Sequence, residues 1–127
     1  MNEEKPVITV YGIKNCDTMK KAMAWLSERG LAFAFVDYKK AGVLATQLPL
    51  WSTQVSWEVL LNTKGLTWRK LDPAQKEGMN AEKAMALMLE HPTLVKRPVL
   101  CIENQGELSQ VSQVLVGFSP ERYEEVV

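Results

Sequence analysis

A strand, a glycine-containing loop and a helix follow one another at the start of the chain, and together they constrain the fold most strongly. Residues 7–11 form a run of β-branched and aromatic side chains, which favours a mostly buried strand. Gly12 ends this run, and apolar residues at helical spacing follow from Met19 onward. The pattern predicts a first helix over residues 16–29 that ends at Gly30, a residue suited to the position after a helix.

Cys16 falls where this helix is predicted to begin, with Asn15 as the capping residue. Unpaired N–H groups and the positive end of the helix dipole converge there and stabilise a thiolate, the reactive form of cysteine. Lys14 adds positive charge nearby, whereas the adjacent carboxylate of Asp17 disfavours a second negative charge. We therefore interpret Cys16 as a nucleophile; the alternative is that it is a small buried hydrophobic residue.

The second cysteine offers no obvious partner for the first. Met19 occupies the third position after Cys16, so the chain lacks a local two-cysteine motif. Cys101 lies in the middle of an apolar run, which is typical of an inert core thiol. A single reactive thiol needs an external thiol, such as glutathione, to resolve a mixed disulfide.

The segments after the first helix predict an α/β fold with a helical insertion. Residues 31–38 form a second predicted strand, and the short return through the helix makes the two strands parallel. The strand signal is absent over roughly residues 43–92, which we interpret as a small inserted helical layer.

Within this insertion, Ser56 is predicted to cap a short helix over residues 57–62, and Asn80 to cap one over residues 81–91. Pro49 should either lie in the first turn of a helix or break it. Residues 66–73 look irregular.

The last third of the chain predicts a hairpin and a helix. Strands are expected within residues 94–103 and 109–116, joined by a turn over residues 104–107. Ser119 and Pro120 then mark the start of a terminal helix. The resulting order, β-α-β, helical insertion, β-β-α, matches a single thioredoxin-like domain over residues 1–127 with a mixed four-stranded sheet.

Two arginines are candidate binding residues. Arg97 precedes Pro98, and in thioredoxin-like proteins a cis-proline in the corresponding loop faces the catalytic cysteine, so Arg97 would reach Cys16. Arg69 lies between Trp68 and Leu71, which would anchor the backbone and direct its guanidinium. Arginine suits two-pronged contact with an oxyanion or carboxylate. The alternative for each is an ordinary solvated surface charge.

Composition excludes several function classes. Formal net charge is zero, with 15 basic and 15 acidic residues, which argues against a general binder of nucleic acid or anionic membranes. No stretch reaches the length of a membrane span, and the N-terminus is unlike a signal peptide, so we expect a cytoplasmic monomer. His91 is the only histidine and has no ligand cluster around it, so no metal site is expected.

Four motifs distributed over nearly the whole chain carry a family resemblance: YGIKNCDTMKKA (residues 11–22), TWRKL (67–71), MLEHP (88–92) and KRPVL (96–100). The chain resembles the ArsC-like arsenate reductase family, and within it the YffB-like branch, which is related to the Spx transcriptional regulators. The resemblance implies a thioredoxin-like fold with a helical insertion, a nucleophile at Cys16, and oxyanion-binding arginines at Arg69 and Arg97. It also implies glutathione as the thiol co-substrate, with no bound cofactor.

The resemblance is incomplete in two places. The arsenate reductases carry a further arginine near the last strand, where residues 114–118 have none, and a histidine in the loop before the cysteine, where Gly12 or a neighbour stands. Losing one charge-assisted contact to an oxyanion costs about 1.5–3 kcal/mol.

The sequence therefore predicts a thiol-dependent, glutathione-dependent reductase of a small anionic or disulfide substrate. Its alternatives are an Spx-like regulator that binds RNA polymerase and a true arsenate reductase. The residues assigned to the site are Cys16 as nucleophile, and Arg97, Arg69, Pro98, Asn15, Lys14 and Thr18 for binding substrate or glutathione.

Overall fold

A computed structural model describes residues 7–104 and 110–127 of the protein. Its contacts divide the chain into two compact units. The second unit is residues 39–96, and the first consists of the segments on either side of it. The first unit contains β1 (Val7–Gly12), α1 (Asp17–Glu28), β2 (Ala34–Asp37), β3 (Val99–Asn104), β4 (Gln110–Val116) and α7 (Pro120–Val126). The second contains α2 (Val43–Trp51), α3 (Trp57–Leu60), α4 (Leu66–Lys70), α5 (Pro73–Lys76), α6 (Ala81–Glu90) and a 3-10 turn (Pro92–Leu94).

The first unit is built on a mixed four-stranded sheet, as the sequence predicts, and the order of its strands is β2-β1-β3-β4. β1 is parallel to β2 and antiparallel to β3, and β3 is antiparallel to β4. Because α1 joins two parallel neighbours, strand and helix form the expected βαβ unit. A register shift between Ile102 and Glu103 marks an irregularity in the β3–β4 pairing.

One face of this sheet carries the core of the first unit. Apolar residues of β1 and β3 alternate toward α1 and α7, as the pleat of a strand requires. Trp25 and Tyr123 meet there edge to face, with ring centroids 5.6 Å apart. The buried members of this cluster are Ile8, Val10, Met19, Ala22, Trp25, Leu26, Leu100, Ile102 and Tyr123.

The start of α1 differs from the prediction by one position. Cys16, not Asn15, is the N-cap residue, with the extended backbone (φ −115°, ψ 126°) that this position requires. Asn15 instead takes a left-handed conformation with φ 61°, which asparagine tolerates better than most residues. The predicted cap at Asn15 is therefore wrong.

The end of α1 is as predicted. Gly30 has φ 70°, and its N–H donates to Ser27 O at 3.0 Å while the N–H of Leu31 donates to Leu26 O at 3.0 Å. These two hydrogen bonds form a Schellman motif, in which glycine is the preferred residue at this position. Since residues around Leu31 complete the helix end, β2 begins only at Ala34, three residues later than predicted.

The second unit is the predicted helical insertion, with two corrections. Pro49 lies inside α2, which continues to Trp51, so the expectation of a first-turn position or a break is wrong. It stands in the last turn, where the helix is about to end. The stretch expected to be irregular contains the single helical turn α4 and the start of α5, where Asp72 and Gln75 form a capping box.

Other predictions for the second half are confirmed with small shifts. Asn80 caps α6, its side chain accepting from Lys83 N at 2.8 Å. β3 starts at Val99 and not near residue 94, because the preceding residues form a 3-10 turn and Lys96 N donates to Leu60 O at 2.8 Å within the second unit. Ser119 caps α7, with Pro120 in its first turn.

Most of the predicted turn at 104–107 lies outside the described residues. The expectation that residues 1–127 form a single domain stays a prediction. Among the residues that the structure describes, none of the helices is both long enough and apolar enough to cross a membrane.

Candidate active site

The topology of the first unit brings its candidate catalytic and binding residues to one edge of the sheet. β1 and β2 are parallel, and Gly12 at the end of β1 is opposite Asp37 at the end of β2. β3 runs the other way, and its first residue, Val99, pairs with Tyr11. The loop before α1, the residue after β2 and the residues before β3 therefore all leave the sheet at the same edge.

Cys16 lies in this loop, half-buried, at the N-terminus of α1. The first intrahelical bond runs from Lys20 N to Cys16 O at 3.0 Å, and no side chain of the described residues caps the helix. A side chain in the N-cap position lies beside the N–H groups of the second and third helical residues. Cys16 thus occupies the end of α1 at which the helix dipole favours negative charge, although its side chain accepts no capping hydrogen bond.

Arg97 approaches the same point from the residues before β3. It is half-buried, and its Nη1 donates to the hydroxyl oxygen of Tyr38 at 3.2 Å. Burial works against its charge, but hydrogen bonds and charge interactions with Tyr38 and then with Cys16 outweigh it and raise the pKa of Arg97. The guanidinium therefore lies within hydrogen-bonding reach of Cys16 and stays charged.

Tyr38 is the residue of this site that the sequence analysis missed. It follows β2 directly, its N–H donates to Gly12 O at 3.0 Å, and it is 1% exposed. Burial is the largest cause that raises its pKa, the hydrogen bond and charge of Arg97 lower it, and charge interactions with Cys16 and Asp37 raise it further, so the net shift is upward. A signal for Tyr38 was available, since the residue after a strand parallel to β1 must leave the sheet at the edge that bears Cys16.

The remaining predicted residues of the first unit surround this centre. Arg97–Pro98 is a cis peptide bond, as predicted, and Pro98 is buried, its carbonyl accepting from Gly117 N at 2.8 Å. Lys14, Asn15 and Thr18 are exposed on either side of Cys16. Their contacts with a substrate or with glutathione stay predictions.

Arg69 belongs to the second unit, so its place at the site also stays a prediction. It is exposed on α4, a single turn anchored by a 2.6 Å hydrogen bond between the hydroxyl groups of Thr67 and Thr93. Its neighbour Trp68 is half-buried, with Nζ of Lys76 5.5 Å from the ring centroid. The expected anchoring by Trp68 and Leu71 fits these positions, since Leu71 is buried.

The first unit gives Cys16 no second thiol on its own side of the sheet. Met19, at the position of a possible second cysteine, is fully buried in the core. Leu100 and Ile102 belong to the cluster against α1, so Cys101 between them points to the opposite face of the sheet. It is 4% exposed.

No group of three histidine, cysteine, aspartate or glutamate side chains that could hold a metal ion occurs among residues 7–104 and 110–127.

A thioredoxin-like sheet with a cysteine at the first helix and an arginine beside it defines a class of thiol-based proteins, and comparison with known proteins gives the family. The model of the ArsC family matches residues 11–126. The chain belongs to the ArsC family.

Its relatives place it among YffB-like proteins. An uncharacterised protein of Haemophilus influenzae is 38% identical over 118 residues, covering 93% of this chain and 96% of the relative. The solved structure of a YffB protein is 44% identical, with a TM-score of 0.80 and coverage of 94% of this chain and 97% of that one. The global transcriptional regulator Spx of Bacillus subtilis is 23% identical, with 91% of this chain and 89% of the regulator covered.

Proposed function

We propose that this protein is a glutathione-dependent thiol reductase with Cys16 as its nucleophile. The observation that carries the proposal is the half-buried Cys16 at the N-cap of α1, with the Arg97 guanidinium in hydrogen-bonding reach. The N-terminus of α1 and the positive charge of Arg97 lie beside this thiol, a setting in which reactive cysteines are found. Membership of the ArsC family supports a thiol-based reaction.

The reaction that fits a single thiol is exchange with a mixed disulfide between glutathione and a small thiol. The Cys16 thiolate attacks the glutathione sulfur, forms a Cys16–glutathione disulfide and releases the small thiol as its thiolate. A second glutathione thiolate then attacks the glutathione sulfur of that disulfide, which regenerates the Cys16 thiolate and releases oxidised glutathione. The net two-electron reduction of the substrate is balanced by the oxidation of glutathione.

Each predicted binding residue has a place in this scheme. Arg97 holds a carboxylate of glutathione or another anionic group close to the sulfur, for which its planar fork is suited. Arg69 supplies a second cation, and Lys14, Asn15, Thr18 and Pro98 contact the peptide-like parts of glutathione. N–H groups in the first turn of α1 stabilise charge that develops at the attacked group.

The two cysteines provide a matched pair of variants for the test. Cys16→Ser should reduce turnover of a glutathione mixed disulfide, followed by coupled oxidation of NADPH through glutathione reductase, to the rate without protein. Cys101→Ser removes a sulfur from the opposite face of the sheet and should keep the rate within about twofold of wild type. Equal rates for wild type and Cys16→Ser would end the proposal.

Arsenate reduction is a narrower alternative that the family membership supports. Residues 114–118 lack the further arginine expected of arsenate reductases. Arsenate offered in the same coupled assay distinguishes the two readings: a rate with arsenate above that with the mixed disulfide would favour arsenate.

A regulatory function is the alternative from a different class, supported by the relatives named as global transcriptional regulators. Met19 occupies the third position after Cys16, so the chain has no local two-cysteine motif that could act as a redox switch. Recovery of RNA polymerase subunits by the tagged protein, together with an inactive coupled assay, would favour regulation.

A further inference from the structure

One sequence motif that the proposed reaction leaves without a role, residues 88–92, ends α6 and leads into the 3-10 turn of the second unit. The hydroxyl group of Thr93 in this turn shares a hydrogen bond with the hydroxyl group of Thr67 in α4, and the two oxygens are 2.6 Å apart. Before α4 begins, the N–H of Asn62 donates to Leu94 O at 2.7 Å. The segment that carries α4 is therefore attached to the 3-10 turn at two points.

The turn α4 depends on such attachments because it is short. A single helical turn fixes several backbone dihedral angles for few hydrogen bonds, so it is unfavourable on its own. Within α4 the N–H of Arg69 donates to Gly65 O at 3.3 Å, and the N-cap residue Gly65 makes no side-chain capping bond. The hydrogen bond between Thr67 and Thr93 is partly buried, which limits competition by water. We expect this bond to decide how well the turn is formed.

Arg69 lies two residues after Thr67 and is exposed. The position of an exposed side chain follows from the backbone that carries it, and here that backbone is α4. A guanidinium on an ordered turn loses less conformational freedom on binding than one on a frayed turn, and such preorganisation raises affinity. The order of α4 therefore sets how strongly Arg69 can bind an anionic group.

We propose that the Thr67–Thr93 hydroxyl pair positions Arg69: by holding α4 against the 3-10 turn, it prepares the guanidinium to bind a carboxylate of the glutathione moiety. Arginine recognises a carboxylate through two parallel hydrogen bonds, which need a fixed geometry. The inference rests on the proposed function, in which Arg69 supplies a second cation. It deepens that function by naming the group that Arg69 recognises and the two residues that act through it.

Steady-state kinetics of Thr93→Val test this role, because valine replaces the hydroxyl group by a methyl group of similar size. At saturating glutathione, the KM for the glutathione mixed disulfide should rise about fivefold, roughly the effect of one lost hydrogen bond. The kcat should stay within about twofold of wild type, since Arg69 binds the substrate and takes no part in the exchange of sulfur bonds. A general loss of folded protein would instead lower kcat at constant KM, and that pattern would overturn the inference.

Thr67→Val removes the other hydroxyl group of the same hydrogen bond and serves as the test if Thr93→Val does not fold. Its KM should match that of Thr93→Val, and the double variant should be no worse than either single variant. Agreement between the two assigns the effect to the bond they share and not to any other contact of either threonine; unequal or additive effects would overturn the inference. Thr93→Ser keeps the hydroxyl group and should restore the wild-type KM.

Two further variants separate a role through Arg69 from a general effect on the second unit. The hydroxyl group of Thr53 in this unit donates to Leu50 O at 2.7 Å, and Thr53→Val should leave KM unchanged. Arg69→Gln should raise KM at least as far as Thr93→Val, and adding Thr93→Val to it should change nothing more. A rise in Thr53→Val, or a further rise in the Arg69→Gln background, would overturn the inference.

Trypsin measures the order of α4 without glutathione, because it cleaves after Arg69 only where the turn opens. Mass spectrometry should show cleavage after Arg69 about fivefold faster in both valine variants than in wild type, with cleavage after Lys20 in α1 unchanged. Unchanged cleavage after Arg69 would overturn the inference. A wild-type protein inactive in the coupled assay would overturn the proposed reaction, whereas an active one with a wild-type KM in both valine variants would overturn only the role of the threonine pair.

Discussion

Among single residues, Gly12 is constrained by the close approach of the Met19 side chain, which leaves no room for a Cβ atom. A Cβ added there would overlap Sδ of Met19 and lie 2.6 Å from its Cε. Met19 is a fully buried residue of α1, so its side chain has little room to move. Gly12→Ala should therefore lower the free energy of unfolding by about 1–3 kcal/mol, the usual cost of overpacking a core, measured by urea denaturation.

The same pair provides the control for this prediction. Met19→Ala opens a cavity of its own, but it also removes the atoms that an alanine at position 12 would meet. The double variant should thus lose less stability than the sum of the two single variants. Strict additivity would show that the contact between Gly12 and Met19 is not the cause.

A site residue could be predicted from the sequence only where the residues that indicate its role lie close to it in the chain. Cys16 could be found because a strand, a glycine and a helix start are all within a dozen residues of it. The signal for Tyr38 is not local, since it depends on the parallel pairing of β1 with β2, which places the residue after β2 at the edge of the sheet that bears Cys16. Asn15 was misassigned because asparagine suits both a cap and a left-handed turn.

At the scale of secondary-structure elements, two helix starts in the second unit differ in how they are capped. The side chain of Asn80 accepts a hydrogen bond from Lys83 N at 2.8 Å, whereas the side chain of Ser56 makes no capping bond to α3. Asn80→Ala should therefore cost about 1 kcal/mol in urea denaturation, and Ser56→Ala only a few tenths. Rescue by Asn80→Ser, which restores an acceptor, would assign the loss to the cap; equal losses in both alanine variants would contradict it.

Elements were predictable where several signals agreed. The helix α6 has a cap at Asn80, apolar residues at helical spacing and a following Pro92, and its predicted end was one residue too late. The turn α4 carries only weak signals, because five residues are too few to show a helical period, and the sequence therefore predicts an irregular stretch there. Pro49 was misjudged because the rule against proline is strict within a helix interior and weak where the helix is about to end.

At the scale of the whole molecule, the order of the strands determines where the candidate site residues lie more than any sequence motif does. The sequence predicted a mixed four-stranded sheet, and that topology alone brings the loop with Cys16 and the residues before β3 to one edge. The position of Arg97 beside Cys16 therefore followed from the fold. The position of Arg69 did not, because α4 belongs to the inserted unit, whose helices are set by packing among themselves and not by sheet register.

All three tyrosines have a raised pKa, and this predicts how the protein responds to alkali. Burial is the main cause in each, and the pKa of Tyr11 rises from 10.0 to about 12. Above pH 10 the unfolded chain releases phenol protons that the folded protein retains, so unfolding becomes more favourable as pH rises toward 12. These groups leave stability unchanged below pH 10.

Urea midpoints should therefore fall above pH 10, and tyrosinate absorbance should develop at higher pH in folded than in urea-unfolded protein. Tyr123→Phe should weaken the fall in the midpoints. Coinciding absorbance titrations, recorded while the protein is still folded, would contradict the prediction.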